Sequence, residues 1–170
     1  MIQGNNINII ALNKESMPLI LKWANDPEIK RNIGTIYPIS EYEHEIWIKN
    51  RAMDSTNKLY LIQHKDDKSI IGIIGNKSTD FINRNTEIYL YIGEKEYRSR
   101  GLGKEIINTY TEFLFNQLNM HKVYLRVFEY NSIAFKCYEK IGYKQEGILK
   151  EAVFRDGRYH DVIIFAKFNN

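Results

Sequence analysis

The sequence predicts a mixed α/β fold, a twisted and mostly antiparallel sheet flanked by helices, in one domain over residues 1–170. Three observations carry that reading. Leu59–Ile62, Ser69–Gly75 and Thr86–Gly93 are apolar runs separated by polar turns at Lys65–Lys68 and Asn83–Asn85, which makes an antiparallel meander. From Thr86 to Val127 the chain then reads strand, glycine turn, helix, strand, the one crossover that returns a strand parallel to its neighbour. The 170 residues suffice for a buried core, and no linker, internal repeat or low-complexity segment divides them.

Element by element, a strand over Ile7–Leu12 opens the chain. A helix begins near Glu15 or Ser16 with Pro18 in its first turn, where a missing N–H costs nothing, and Leu19, Ile20 and Trp23 form its apolar face. Asp26-Pro27 ends it, and a polar turn leads to Tyr37-Pro38. Ser40-Glu41-Tyr42-Glu43 has the spacing of a capping box and launches a second helix with Tyr42, Ile46 and Trp47 facing inward. In the meander, the second strand continues through Thr79, with Gly75 marking a bulge or a close approach. The third alternates Glu87, Tyr89 and Tyr91 on one face with Ile88, Leu90 and Ile92 on the other. After Gly103, the spacing of Ile107, Tyr110, Leu114 and Leu118 marks the buried stripe of a helix. Val123–Val127 is a strand. Asn131 or Ser132 caps a further helix with Ala134, Cys137, Tyr138 and Ile141 inward, and Gly142 stops it. Val153-Phe154, the turn Arg155–Arg158 and Tyr159–Phe168 close the chain as a hairpin.

Composition narrows the function. The formal charge of +3, from 24 basic and 21 acidic residues, is too small and too dispersed to argue for nucleic acid. The single cysteine, Cys137, excludes an internal disulfide and a cysteine-rich zinc site, and the four histidines lack ligand spacing, so no metal is expected. No apolar run has the length of a membrane span and the polar start is no signal peptide, so the expected place is the cytoplasm.

The most informative segment is Arg98-Ser99-Arg100-Gly101-Leu102-Gly103-Lys104, between a strand and a long helix. Two glycines let the backbone curl so that successive N–H groups point inward, and the following helix adds the positive end of its dipole. Arg98, Arg100 and Lys104 supply formal charge suited to a pyrophosphate. The same turn also serves as a tight connection in proteins that bind no phosphate. A nucleoside-triphosphatase loop is a remote alternative, because Lys104 is followed by Glu105 rather than Ser or Thr.

The meander, the Arg98-x-x-Gly101-x-Gly103 turn and the later Asn131-x-x-Ala134-x-x-x-Tyr138-Glu139-Lys140-x-Gly142-Tyr143 together resemble the GNAT superfamily of acyl-CoA-dependent N-acetyltransferases over nearly the whole chain. The sequence is most similar to the branch of ribosomal-protein, spermidine and amino-sugar acetyltransferases, which share an early motif like Trp23-Ala24-Asn25-Asp26-Pro27. This resemblance implies that the parallel strand pair splays, that Arg98–Lys104 hold the pyrophosphate of acetyl-CoA, and that the pantetheine lies along Leu90, Tyr91 and Ile92. It implies further that Asn131 contacts the pantetheine and that Lys140 reaches the adenosine phosphate. Asn131 is equally consistent with a plain N-cap.

Acetyl transfer to an amine needs a neutral nucleophile, and on the order of one alkyl amine in 10³ is neutral at pH 7. Glu87, an acid within an apolar strand, is the candidate base, with an anchor for the amine or a water chain as the alternatives. Tyr138 matches the family's general acid for the departing thiolate, although its helical spacing also suits a core tyrosine. Cys137 lies roughly 100° around the helix from Tyr138, so direct attack in a ternary complex is expected rather than a cysteine intermediate. Two departures from similar enzymes stand out. Arg126 occupies the place where some relatives put a glutamate, and Asn32–Tyr37 lacks the clustered acids of spermidine enzymes. The expected acceptor is a small-molecule amine or amino sugar, ahead of a protein N-terminus and a polyamine. A non-catalytic acyl-CoA-binding module is the rival, and a homodimer through the terminal hairpin is plausible.

Overall fold

The computed structural model describes residues 1–169. One eight-stranded sheet has the order β1-β2-β3-β4-β5-β6-β8-β7, made of β1 (Ile2–Gln3), β2 (Ile7–Ala11), β3 (Lys58–His64), β4 (Ile70–Asp80), β5 (Asn85–Ile92), β6 (Lys122–Phe128), β7 (Lys144–Arg155) and β8 (Arg158–Phe168). Every pairing is antiparallel except β5 with β6. The helices are α1 (Met17–Asn25), α2 (Pro27–Ile33), α3 (Glu41–Met53), α4 (Leu102–Leu118) and α5 (Ser132–Lys140).

Strand alternation sorts the core into two layers. Ile88 and Val123, Leu125 and Val127 pack with Ile106, Tyr110, Leu114 and Tyr138 from α4 and α5. On the opposite face Leu59, Leu61 and Ile73 pack with Ile20 and Trp23 of α1, Ile29 of α2 and Ile48 of α3, and Tyr89 and Tyr91 lie against them. The expected division of the β5 side chains is therefore observed.

Four expectations need correction. Asp26-Pro27 ends α1 but also starts α2: the Asp26 carboxylate accepts from the N–H groups of Glu28 and Ile29, and Pro27 takes the first helical position, where it needs no donor. Tyr42 and Ile46 face solvent, 74% and 43% exposed, because α3 instead turns His44 and Ile48 to the sheet, with Trp47 half-buried beside them. Leu118 is 42% exposed, since the left-handed Asn119 ends α4 there and Met120 takes the buried place. The closing hairpin is much longer than Val153-Phe154 implies, because β7 is a mostly exposed edge strand that lacks a buried apolar face.

Other local readings hold. The Ser40–Glu43 capping box forms in both directions. Gly75 marks a close approach: a Cβ there would lie 2.3 Å from the Lys58 carbonyl and 2.6 Å from the Tyr89 hydroxyl.

Candidate active site

The site begins where the sheet divides. β5 and β6 pair only at Asn85↔Lys122, Thr86↔Val123 and Glu87↔Tyr124. Beyond that point β5 stays on β4 as far as Ile92↔Gly72, while β6 stays on β8 as far as Phe128↔Val162, so the two strands part. The N–H of Gly93 donates to the Ile71 carbonyl at 2.8 Å, which fixes the alternation of the edge. Tyr89 and Tyr91 turn their peptide groups toward β4, and Leu90 and Ile92 turn theirs into the gap. Of the three residues expected along a cofactor, Leu90 and Ile92 thus turn backbone groups to the gap, the Ile92 carbonyl accepting from Arg98, whereas the Tyr91 groups are spent on Ile73 of β4.

The glycine turn lies at the open end of that gap. Ser99 (φ 60°) and Gly101 (φ 82°) are left-handed, and alternation of handedness makes successive N–H groups converge. Among the described residues, the amides of Ser99, Arg100, Gly101, Leu102 and Gly103 find no protein acceptor. The flanking two are spent: Arg98 donates its amide to Lys95 O at 3.1 Å and Lys104 to Gly101 O at 3.1 Å. Chain neighbours and the helix's own backbone aside, no heavy atom lies within 4 Å of a Cβ built on Gly101 or Gly103, so no other side chain crowds either glycine. This is the fit required of a pyrophosphate cradle.

The Arg98 side chain folds back over the strand end. Its Nε donates to Ile92 O (2.9 Å), Nη2 donates to Gly93 O (2.8 Å), and Nη1 pairs with Glu28 of α2 (2.9 Å). Arg98 therefore braces the loop, and among the described residues no carboxylate pairs with Arg100, which lies over the Tyr97 ring, or with Lys104. Glu28 with Arg31, Tyr130 and Asn131 lines a cleft of about 460 Å³ between α2 and the start of α5. Sequence reasoning missed Glu28 because it missed α2; the Asp26-Pro27 pair was the available signal. Trp23 and Asn25 of the early motif act as fasteners: the indole N–H donates to Glu94 (2.9 Å), and the Asn25 amide binds both backbone groups of Ile39 (2.8 and 2.9 Å).

From α5 comes Tyr138, 9% exposed, its ring packed on Tyr143 and Phe165. Its hydroxyl makes no hydrogen bond to the protein among the described residues, yet it is not one of the fully buried orphan oxygens. Burial, with Cys137 beside it, holds its pKa well above the ordinary phenol value. Asn131 caps α5, its Oδ1 accepting from Ala134 N at 3.2 Å, which leaves the side-chain NH₂ free to donate. Lys140 is exposed at the end of α5; its charge and that of Lys104 partly oppose the burial that raises the Cys137 thiol.

Glu87 stands at the vertex where the strands part. It is 4% exposed, with Lys77 Nζ at 3.0 Å on one carboxylate oxygen and Arg126 Nε at 3.5 Å on the other. Both partners follow from register: Lys77 lies directly across on β4, and Arg126 is one step along β6 on the same face as Tyr124. Arg126 is thus the counter-ion of the only carboxylate that β5 carries.

The geometry meets an independent result in the family comparison: the model of the acetyltransferase (GNAT) domain matches residues 9–164. The chain belongs to the GNAT acetyltransferase family. It is similar to the spermidine N(1)-acetyltransferase of Vibrio cholerae, with 29% identity over 84% of this chain and 83% of that protein. It is also similar to the acetyltransferase PseH of Campylobacter jejuni, with 32% identity over 78% of this chain and 80% of that one. The crystal structure of the Vibrio cholerae spermidine N-acetyltransferase with CoA and spermine superposes at a TM-score of 0.90, with 26% identity over 96% of this chain and 95% of that chain. The mixed sheet with one parallel pair is the fold of that enzyme, and this acetyltransferase, like its family, uses acetyl-CoA. Among the described residues no helix is long and apolar enough to cross a membrane.

Proposed function

We propose that this acetyltransferase moves the acetyl group of acetyl-CoA to the primary amine of a small molecule, by direct attack while both substrates are bound. The reading is supported above all by one observation: among the described residues, five successive amides at Ser99–Gly103 have no protein acceptor, beside a sheet edge whose Leu90 and Ile92 peptide groups lack a strand partner. When bound, acetyl-CoA supplies an activated acyl group on a thiol leaving group. The cradle amides, with Arg100 and Lys104, hold its pyrophosphate. Leu90 and Ile92 offer N–H groups to the pantetheine and the acyl oxygen, the Asn131 NH₂ donates to a pantetheine carbonyl, and Lys140 meets the adenosine phosphate.

Tyr138 holds the proton that the departing sulfur needs. Its raised pKa keeps the Oη protonated at neutral pH, and its hydroxyl has no competing protein acceptor. Glu87 receives the amine. Both of its oxygens already meet cations, so it orients the nitrogen and the released proton passes on to water rather than resting on the carboxylate. Cys137 is half-buried with its thiol pKa raised, which suits packing and not nucleophilic attack.

For the acceptor, a small amine or amino sugar fits better than a polyamine, because the segment 32–37 offers no acidic cluster and the carboxylates near the gap are paired. A cytoplasmic enzyme and self-association complete the reading; the Vibrio cholerae relative has been seen as a dodecamer. The test measures thiol release from acetyl-CoA against a panel of amines, amino sugars, spermidine and N-terminal peptides, with calorimetric titration of CoA alongside. CoA uptake with turnover of a small amine is expected; absence of CoA binding overturns the reading.

A further inference from the structure

On the face of the sheet that carries Glu87, the strands beyond β6 hold a guanidinium with no counter-ion among the described residues. Arg155, on β7, is half-buried. Its Nη1 donates to Phe154 O and its Nη2 donates to Gly34 O, both at 2.6 Å, and its Nε–H is fully buried without an acceptor. No carboxylate among the described residues pairs with it. The acids nearby are committed elsewhere: Asp156 to Arg31 at 2.7 Å, Glu129 to His160 at 2.8 Å, and Asp161 to Lys150 at 2.7 Å. A half-buried cation whose buried Nε–H has no acceptor is costly unless something meets the charge.

Its neighbours tell where it lies. Gly34, whose carbonyl it binds, touches the Phe128 ring: a Cβ on Gly34 would be 3.2 Å from Phe128 and 3.8 Å from Arg155. Phe128 shares its face of β6 with Arg126, two residues back, and Arg126 reaches Glu87. A line therefore runs from the amine-binding carboxylate, past Arg126 and an aromatic ring, to Arg155. On the adjacent strand His160 lies opposite Val153, and its Nε2 is likewise buried without a partner.

We propose that the acceptor carries an anionic group, a carboxylate or a phosphate, in addition to its amine, and that Arg155 receives that group while Phe128 packs on the part between. The inference rests on the acetyltransferase reading and names its substrate class. A polycation has the wrong sign for this wall: its second ammonium would meet Arg126 and Arg155, while Asp156, Glu87 and Asp161 already hold cations. The Arg fork matches both carboxylate and phosphate, so the two sources are separated by experiment.

The test compares matched amines under saturating acetyl-CoA: glucosamine 6-phosphate against glucosamine for phosphate, and 4-aminobutyrate against butylamine for carboxylate, with spermidine as the polycation. Calorimetry with the same probes on CoA-saturated protein gives a second readout. The anionic member of at least one pair should have kcat/KM, or affinity, at least ~10-fold above its neutral mate. In Arg155→Met that ratio should fall toward one through KM, and Arg155→Lys should retain part of it. A role confined to bracing Gly34 would depress both members together and leave the ratio intact, which would overturn the proposal. So would a preference for the neutral mates or for spermidine, or no binding of either anionic probe. Turnover of any amine in those cases would leave the acetyltransferase reading standing, whereas failure to bind CoA would remove both.

Discussion

Replacing Tyr138 by Phe removes one oxygen from a ring that otherwise keeps its packing on Tyr143 and Phe165. The hydroxyl makes no bond to the protein among the described residues, so the change leaves no orphaned partner and stability should shift by no more than ~0.5 kcal/mol. Turnover is another matter. Passing a proton from a phenol with a pKa of about 10 to a thiolate of about 8.5 is uphill by roughly 2 kcal/mol, and burial of Tyr138 raises that step further. Losing the donor altogether forces the sulfur to leave unprotonated, and a positioned acid is worth about 10²-fold or more, or at least ~2.7 kcal/mol of barrier. The assay is steady-state thiol release at saturating acetyl-CoA, with CoA affinity by calorimetry and melting temperature measured on the same preparations. A kcat within threefold of the parent would remove Tyr138 from the chemistry. A fall in kcat matched by a fall in melting temperature would show that the ring and not its proton was at stake.

Gly103→Ala should weaken CoA binding by ~10-fold or more with an unchanged melting temperature, because the new methyl enters an open cradle and touches no protein atom; an unaltered dissociation constant in titration would disprove the phosphate role. Gly93→Ala should destabilise by about 3 kcal/mol or more in urea unfolding, since its Cβ would lie 2.1 Å from the Trp23 ring; a native midpoint would show that Trp23 can swing away. His44 is buried, and desolvation lowers its pKa below 6.5 in the folded state. As pH falls through 6.5 the unfolded chain binds the proton first, so stability present above that pH is lost below it, and His44→Leu should flatten the urea midpoint between pH 7 and 5.

Much of this was readable from residue order. The glycine turn proposed as the cradle was legible because such a turn is local: its glycines, cations and following helix sit within seven residues. The alternation on β5 and the Asn131 cap were legible for the same reason. What escaped depends on register or on competing local signals. Lys77, Glu87 and Arg126 come from three strands, and nothing before the pairing is known says that the two cations meet one carboxylate. Asp26-Pro27 reads as a stop because proline cannot continue α1, yet the same two residues are an N-cap and a first turn. On α3, Tyr42 and Ile46 form a helical stripe as apolar as the one actually buried, so periodicity alone picked the wrong side. Arg98 showed its charge in the sequence but not its direction, which is back onto Ile92 and Gly93.

The seam between β5 and β6 has a mechanical meaning. Two leaflets of one sheet are stitched by three residue pairs and then left apart, so the acetyl-CoA that we propose to lie between them would serve as mortar as well as reagent. By mass action, a donor present at 100 times its dissociation constant adds about 2.7 kcal/mol to the folded state. On that proposal the enzyme should be sturdiest when its feedstock is plentiful, and amide exchange along the unstitched margins should quicken first when that supply runs out.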